Sequence, residues 1–182
     1  MSTAKGDAPQ WEPTWKDYAV SALGGICFVG QVVLCFTSYN RLNSSRVLYL
    51  GWTVLAVALL MGMSARRALE EQVSTSKKKR KRDANVVVAS GAYGVVRHPT
   101  YLSFTLVILS LILISQHWLS AILGLPWMIY LYLSMLSEEH VNIEQFGDVY
   151  HQYMHQVPRV NLITGAMRYW RRRRERMEKN SA

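Results

Sequence analysis

The chain has 182 residues, half of them apolar, and a formal net charge of +9. An even mixture of those residues would suit one water-soluble domain, but the charges are segregated. Long uncharged runs without a polar face at helical period exclude a soluble helical bundle.

The first run, Tyr18 to Tyr39, has no charged residue, and neither has the second, Val47 to Ala65. Each matches the ~20 apolar residues that one membrane-crossing helix needs. Residues 1–17 are read as a cytosolic N-terminal segment. They are polar, contain Pro9 and Pro13, and lack a small-residue cleavage site, so the first apolar run is expected to be retained. Cys27 and Cys35 lie eight residues apart on that first helix. At ~1.5 Å per residue they are ~12 Å apart, beyond disulfide reach. Small residues such as Ser21 and Gly25, or Ala58 and Gly62, offer places for close helix packing.

Residues 66–98 read as a cytosolic basic loop. Within it, Lys77, Lys78, Lys79, Arg80, Lys81 and Arg82 form a dense run inside a solvated linker, Ser74 to Asp83. The run matches a nucleic-acid patch in text, but beside a bilayer it either only fixes topology or also contacts anionic lipid headgroups, and nucleic acid is not expected.

From Pro99 to Ser137 the only titratable side chains besides tyrosine are those of His117. This stretch is twice the length of one span, and Ser115-Gln116-His117 is its natural break. The expected helices, Pro99–Gln116 and Trp118–Leu136, are ~27 and ~28 Å long at ~1.5 Å per residue. Residues 99–136 are thus read as a transmembrane hairpin. Basic residues concentrate in 66–97 and after Arg159, which puts both termini and the 66–98 loop on the cytosolic side.

Residues 137–182 are read as an interfacial helix followed by a basic tail. Phe146, Tyr150, Tyr153, Met154 and Val157 recur at helical spacing and are ended by Pro158. The fold expected is an all-α integral membrane protein with four transmembrane helices and a C-terminal interfacial amphipathic helix.

Two polar clusters stand out. Gly91-Ala-Tyr93-Gly-Val-Val-Arg97-His98-Pro99-Thr-Tyr101 lies at the mouth of the third helix. Pro99 suits the first helical position, so Arg97 and His98 crown a helix N-terminus, where free N–H groups favour an anion. Glu138 and Glu139 are expected to end the next helix, where the dipole disfavours them and a cation must compensate. Arg97 is one candidate cation; a ligand amine or sulfonium is another. An antiparallel hairpin brings both clusters to one membrane face. His151 and His155, near His140, Glu144 and Asp148, admit a metal site, but surface histidines on an interfacial helix are the expectation and no metal is assigned.

The order Gly-x-Tyr-x-x-x-Arg-His-Pro-x-Tyr, Glu-Glu, Phe-Gly-x-x-Tyr-x-x-Tyr and Val-Pro-Arg, from Val88 to Arg159, resembles the integral-membrane methyltransferases of the isoprenylcysteine carboxyl and phospholipid types. The resemblance implies S-adenosylmethionine as methyl donor, with S-adenosylhomocysteine as product, and a lipophilic acceptor that enters from the bilayer. It implies cofactor contacts from Gly91, Tyr93, His98, Pro99, Tyr101, Glu138 and Glu139, and catalytic roles for Arg97, Glu139 and Arg159. The text after Val-Pro-Arg, Val160-Asn-Leu-Ile-Thr-Gly165, departs from the family's proline-bearing tail and leaves Arg159 as the tail contributor.

The first acceptor expectation is carboxyl O-methylation of an isoprenylcysteine-like substrate. N-methylation of a phosphatidylethanolamine-type phospholipid is the alternative, in which Glu139 or Tyr153 would serve as base. A non-enzymatic adaptor binding anionic lipid through the basic runs is the third. The membrane expected is the cell membrane in a prokaryote or the endoplasmic reticulum in a eukaryote.

Overall fold

The computed structural model describes residues 15–78 and 91–181. Its elements are α1 (Trp15–Thr37), α2 (Ser45–Lys78), a 3-10 turn (Gly91–Gly94), α3 (Pro99–Ser115), α4 (Trp118–Phe146), α5 (Asp148–Gln156) and α6 (Leu162–Ser181). No strand occurs among the described residues. Lys79 to Arg82, most of the first basic run, lie outside them.

The helix pairs α1–α2 and α3–α4, each joined by a short turn, pack together: α3 contacts α1, α2 and α4, and α1 contacts α4. Their turns are tied at one end by Gln116. This residue ends α3 with a left-handed backbone (φ 51°). Its amide donates to Asn40 Oδ1 (2.8 Å) and to the Ser44 carbonyl (3.0 Å), both in the α1–α2 turn. The expected break at Ser115-Gln116-His117 is therefore present, and His117 accepts from Leu119 N as the N-cap of α4.

Where α2 meets α3, small residues let the backbones approach. Ser103 Oγ donates to the Ala58 carbonyl (3.0 Å), and a Cβ placed on Gly62 would lie 2.7 Å from the same oxygen. Gly25, by contrast, has open space around it.

The interior mixes apolar residues such as Ile108, Ile114 and Met135 with polar ones, and the exterior is apolar. Gln31, Ser103, Ser110, Ser115 and Ser120 are buried, while Leu23, Ile26, Val29, Leu59, Leu60, Ile122, Ile129 and Leu133 face outward. Gln31 Nε2 donates to the Ser120 carbonyl (2.9 Å), so its amide is satisfied inside the bundle. Apolar exteriors of this size need an apolar surrounding. Three helices, Tyr18–Thr37, Ser45–Glu71 and Trp118–Phe146, are long and apolar enough to cross a membrane. The fourth, α3, is apolar but has 17 residues, ~26 Å at ~1.5 Å per residue, and falls short of that length.

Two helix ends differ from expectation. α2 continues beyond Ala65 to Lys78, because Arg66 to Lys78 contains neither Gly nor Pro. The loop expected over 66–98 is therefore helical in its first part, and Ser74 to Lys78 are not linker. α4 continues beyond Leu136 to Phe146 and stops at Gly147, which has φ 52°. Glu138 and Glu139 therefore lie inside a helix rather than at its C-terminus, and the dipole argument does not apply to them. The segment read as a basic tail forms α6.

Candidate active site

The site forms where α2 has ended and α3 begins, alongside the last turns of α4. Gly91, at φ 57°, opens the 3-10 turn against Ala68 of α2. The turn closes with Val96 N donating to the Ala92 carbonyl (3.0 Å). Two residues then lie beside the α5–α6 connection: Arg97 N donates to the Pro158 carbonyl (3.0 Å) and His98 N to that of Arg159 (3.4 Å). Pro99 follows, buried, as the first residue of α3. His98 stands at the N-cap position without capping; its side chain turns instead to α4.

That turn assembles a buried ion cluster on Glu139, which is 4% exposed. Its Oε1 accepts from His98 Nε2 (3.1 Å) and lies 3.2 Å from Arg97 Nη1. Its Oε2 accepts from Arg159 Nε (3.0 Å) and Nη2 (2.6 Å). Burying a carboxylate is costly unless it is paired and hydrogen-bonded, and Glu139 is both. The Arg97 guanidinium is paired by charge but poorly aligned: Nε and Nη1 are buried and lack a hydrogen-bond partner among the described residues. Burial holds the His98 imidazole below its usual pKa against the pull of Glu138 and Glu139, so it is neutral at pH 7. With Nε2–H given to Glu139, its Nδ1 is bare and stands 4.0 Å from Glu138 Oε1. The hydrogen bond to Glu139 raises the pKa of Arg159, which stays charged.

Beside this cluster is a cavity of about 390 Å³ lined by Tyr93, His98, Thr100, Tyr101, Phe104, Leu131 and Glu138. The Tyr93 and Thr100 hydroxyls are 3.3 Å apart across its rim. His98 and Tyr101 meet edge to face at 5.8 Å. Glu138, 46% exposed, is the one charged residue in the lining. A second hollow of about 360 Å³, almost wholly apolar, adjoins it between α3 and α4. Tyr101 and Leu131 line both, and Leu125, Met128, Ile129 and Met135 continue the apolar one.

A family model of phospholipid methyltransferases matches residues 46–149, more than half of the chain. The chain belongs to the phospholipid methyltransferase family. No curated protein and no solved structure gives a significant match. The family is one of membrane methyltransferases, so this is a membrane protein of a methyltransferase family, and S-adenosylmethionine is the methyl donor that the family implies.

The phospholipid methyltransferase match includes Arg97, His98, Glu138 and Glu139 but ends before Arg159. The residues named from sequence divide by position. Tyr93, His98, Tyr101 and Glu138 come together around the 390 Å³ cavity. Arg97, Glu139 and Arg159 form the ion cluster behind it. Pro99 is buried at the helix start. Gly91 is outside this cavity and faces another hollow, shared with Met63 and Arg67 of α2. Among the described residues no three His, Cys, Asp or Glu side chains converge as a metal site, so His140, His151 and His155 form no such cluster.

The helix face read from sequence braces the Gly91–His98 segment from behind, and the residues of α6 that brace it too, Gly165 and Arg172, were missed. Tyr150, Tyr153 and Val157 bury the inner face of α5. The Tyr153 hydroxyl donates to the Tyr93 carbonyl (2.8 Å), and burial raises its pKa. Arg172 Nη2 donates to the Gly94 carbonyl (2.8 Å). Gly165 packs so close to the Val95 carbonyl that a Cβ would collide with it. Asn161, whose Oδ1 accepts from Thr164 N (3.1 Å), was the available signal that a helix starts there.

Proposed function

We propose that the protein transfers a methyl group from S-adenosylmethionine to the headgroup amine of a phosphatidylethanolamine-type phospholipid. The observation that carries this reading is the junction of a polar, carboxylate-bearing cavity with an apolar groove at Tyr101 and Leu131. A water-soluble donor and a lipid acceptor need such neighbouring sites.

The cavity volume falls within the ~300–1,000 Å³ of small-molecule sites. Its aromatic rings suit a purine and a sulfonium, and Glu138 suits the amino group of the donor's methionine part. Tyr93, His98, Tyr101, Phe104 and Glu138 would hold the cofactor. S-adenosylmethionine supplies, when bound, a methyl group on a positively charged sulfur.

The charge of the lining favours an amine acceptor over the isoprenylcysteine-type carboxylate ranked first from sequence. Glu138 repels a carboxylate, and Arg97, 8% exposed and absent from the lining, is not placed to receive one. An ammonium must also lose a proton before its nitrogen is nucleophilic. Glu139 is surrounded by cations, Tyr153 is bonded to a carbonyl and Glu138 is taken by the donor, so the acceptor would enter as the free amine, which gains the methyl group and becomes the ammonium. Arg159, 35% exposed and next to Tyr132 at the groove, is suited to the phosphodiester. Acyl chains would follow Leu125, Met128 and Ile129 toward the lipid. The rest of the catalysis is alignment and exclusion of water.

In this reading α3 completes a fourth, shorter span, and both termini are cytosolic, with the basic segments on the side where the donor is soluble. The test is transfer of labelled methyl, in parallel, to phosphatidylethanolamine and to a prenylcysteine acid. A base-stable label in the phospholipid headgroup is expected, together with loss of S-adenosylmethionine binding in Glu138→Gln. A base-labile methyl ester on the prenylcysteine would assign the carboxyl reaction instead. Absence of cofactor binding in the wild type would overturn both and favour the adaptor.

A further inference from the structure

The helix that the sequence reading left as a tail has two unlike faces. Gly165, Arg168 and Arg172 lie on one side of α6, since residues three and four apart share a face. This side is fastened to the protein: Arg168 Nη1 donates to the His155 carbonyl (3.2 Å), Arg172 to the Gly94 carbonyl, and Gly165 sits on Val95. The opposite side carries Ile163, Met167 and Trp170, which are 75, 62 and 58% exposed. Arginines flank that stripe. Arg174 is exposed, as is Arg171, which also pairs with Glu175 (3.1 Å), and the Arg173 guanidinium lies over the Trp170 ring at 5.8 Å. From Leu162 to Ser181 the helix has seven basic and two acidic residues, so what covers the stripe should be apolar within and anionic at its rim. An anionic leaflet has that chemistry. The attachment points, Gly94 and Val95, lead directly into Arg97 and His98 at the bundle end where α3 begins.

We propose that α6 is a surface strap that binds anionic phospholipid: its apolar stripe enters the bilayer interface, its flanking arginines take lipid phosphates, and its inner face thereby holds the Gly91–His98 segment in position. The proposal rests on the chain being a membrane protein but not on the identity of the methyl acceptor. The lipid is a structural ligand of a surface distinct from the groove between α3 and α4.

The test is backbone hydrogen exchange of the full chain in nanodiscs of phosphatidylcholine, alone or mixed with phosphatidylglycerol. S-adenosylmethionine binding is measured on the same discs. Slower exchange of both α6 and residues 94–98 on the anionic discs is expected. Each basic residue near an anionic surface multiplies the bound population about fivefold. Arg171→Gln/Arg174→Gln should therefore reduce the anionic-lipid protection of α6 by roughly 25-fold, and high salt should do the same to the wild type. Ile163→Ser/Met167→Ser, which leaves the inner face intact, should lower protection on both kinds of disc. Protection of α3 and α4 reports whether either variant still folds, and the wild-type comparison stands without them. Equal exchange of wild-type α6 on the two kinds of disc would overturn the proposal, as would undiminished lipid dependence in folded Arg171→Gln/Arg174→Gln. Lipid-dependent protection without cofactor binding would leave the strap standing and remove the methyltransferase reading. Cofactor binding with no lipid dependence would do the reverse.

Discussion

Replacing Glu139 with Gln tests the ion cluster at its centre. The substitution preserves shape and one acceptor oxygen but removes the charge that three basic groups share. Their losses are unequal. The Arg159 side chain is 35% exposed and can turn to water, and His98 is already neutral. Arg97 is 8% exposed and already lacks partners for Nε and Nη1. An uncompensated buried charge costs about 3–5 kcal/mol, a large share of the roughly 5–15 kcal/mol that stabilises a folded protein. In a chain of this size each kcal/mol moves the melting midpoint by about 2–4 °C, so a fall of about 10 °C in detergent micelles is expected by near-UV circular dichroism. The double variant Arg97→Met/Glu139→Gln removes the orphaned guanidinium as well, and should melt at least ~5 °C above Glu139→Gln alone. A single variant within ~2 °C of wild type, or a double variant at the sum of its two singles, would refute the account.

Three further outcomes follow from the same geometry. Gly165→Ala drives a methyl group into the Val95 carbonyl; α6 should lift, and hydrogen exchange of residues 94–98 should quicken while α3 stays protected. Tyr153→Phe removes the donor to the Tyr93 carbonyl and should cost about 1 kcal/mol in thermal unfolding, with no change in the apolar packing around Val157. Because burial lowers the His98 pKa in the fold, the unfolded chain binds its proton first as pH falls. The His98 contribution to stability is therefore full above about 6.5 and declines as pH drops through that value toward the depressed folded one. His98→Asn should flatten that part of the stability–pH profile, and an unchanged slope would contradict the assignment of a neutral imidazole.

What could be read from sequence depended on how local the signal was. The apolar runs and the Ser115-Gln116-His117 break are local and marked the helices they belong to. Helix ends were misjudged because charge was taken to stop a helix. Glu138 and Glu139 interrupt hydrophobicity without opposing helical geometry, and α4 runs on until Gly147 provides a positive φ. The same reasoning explains α2 beyond Ala65. The meeting of Arg97 and His98 with the Glu pair followed from an antiparallel hairpin alone. Its division of labour did not: Glu139 turns inward and Glu138 toward the cavity because neighbouring helix positions lie about 100° apart. The brace from Gly165 and Arg172 depends on tertiary contact between segments about 70 residues apart, which no local pattern reveals.

The amide of Gln31 carries a consequence for how the protein is made. Its hydrogen-bond acceptor, the Ser120 carbonyl, is synthesised 89 residues later. Before α4 is in place, Gln31 would face hydrocarbon with the penalty of an unsatisfied polar group. Arrival of α4 relieves the penalty only in the register that presents Ser120. An α4 placed a turn out of step would leave Gln31 without that acceptor, so Gln31→Leu should weaken the choice of register, read as a broader pattern of α1–α4 cross-links.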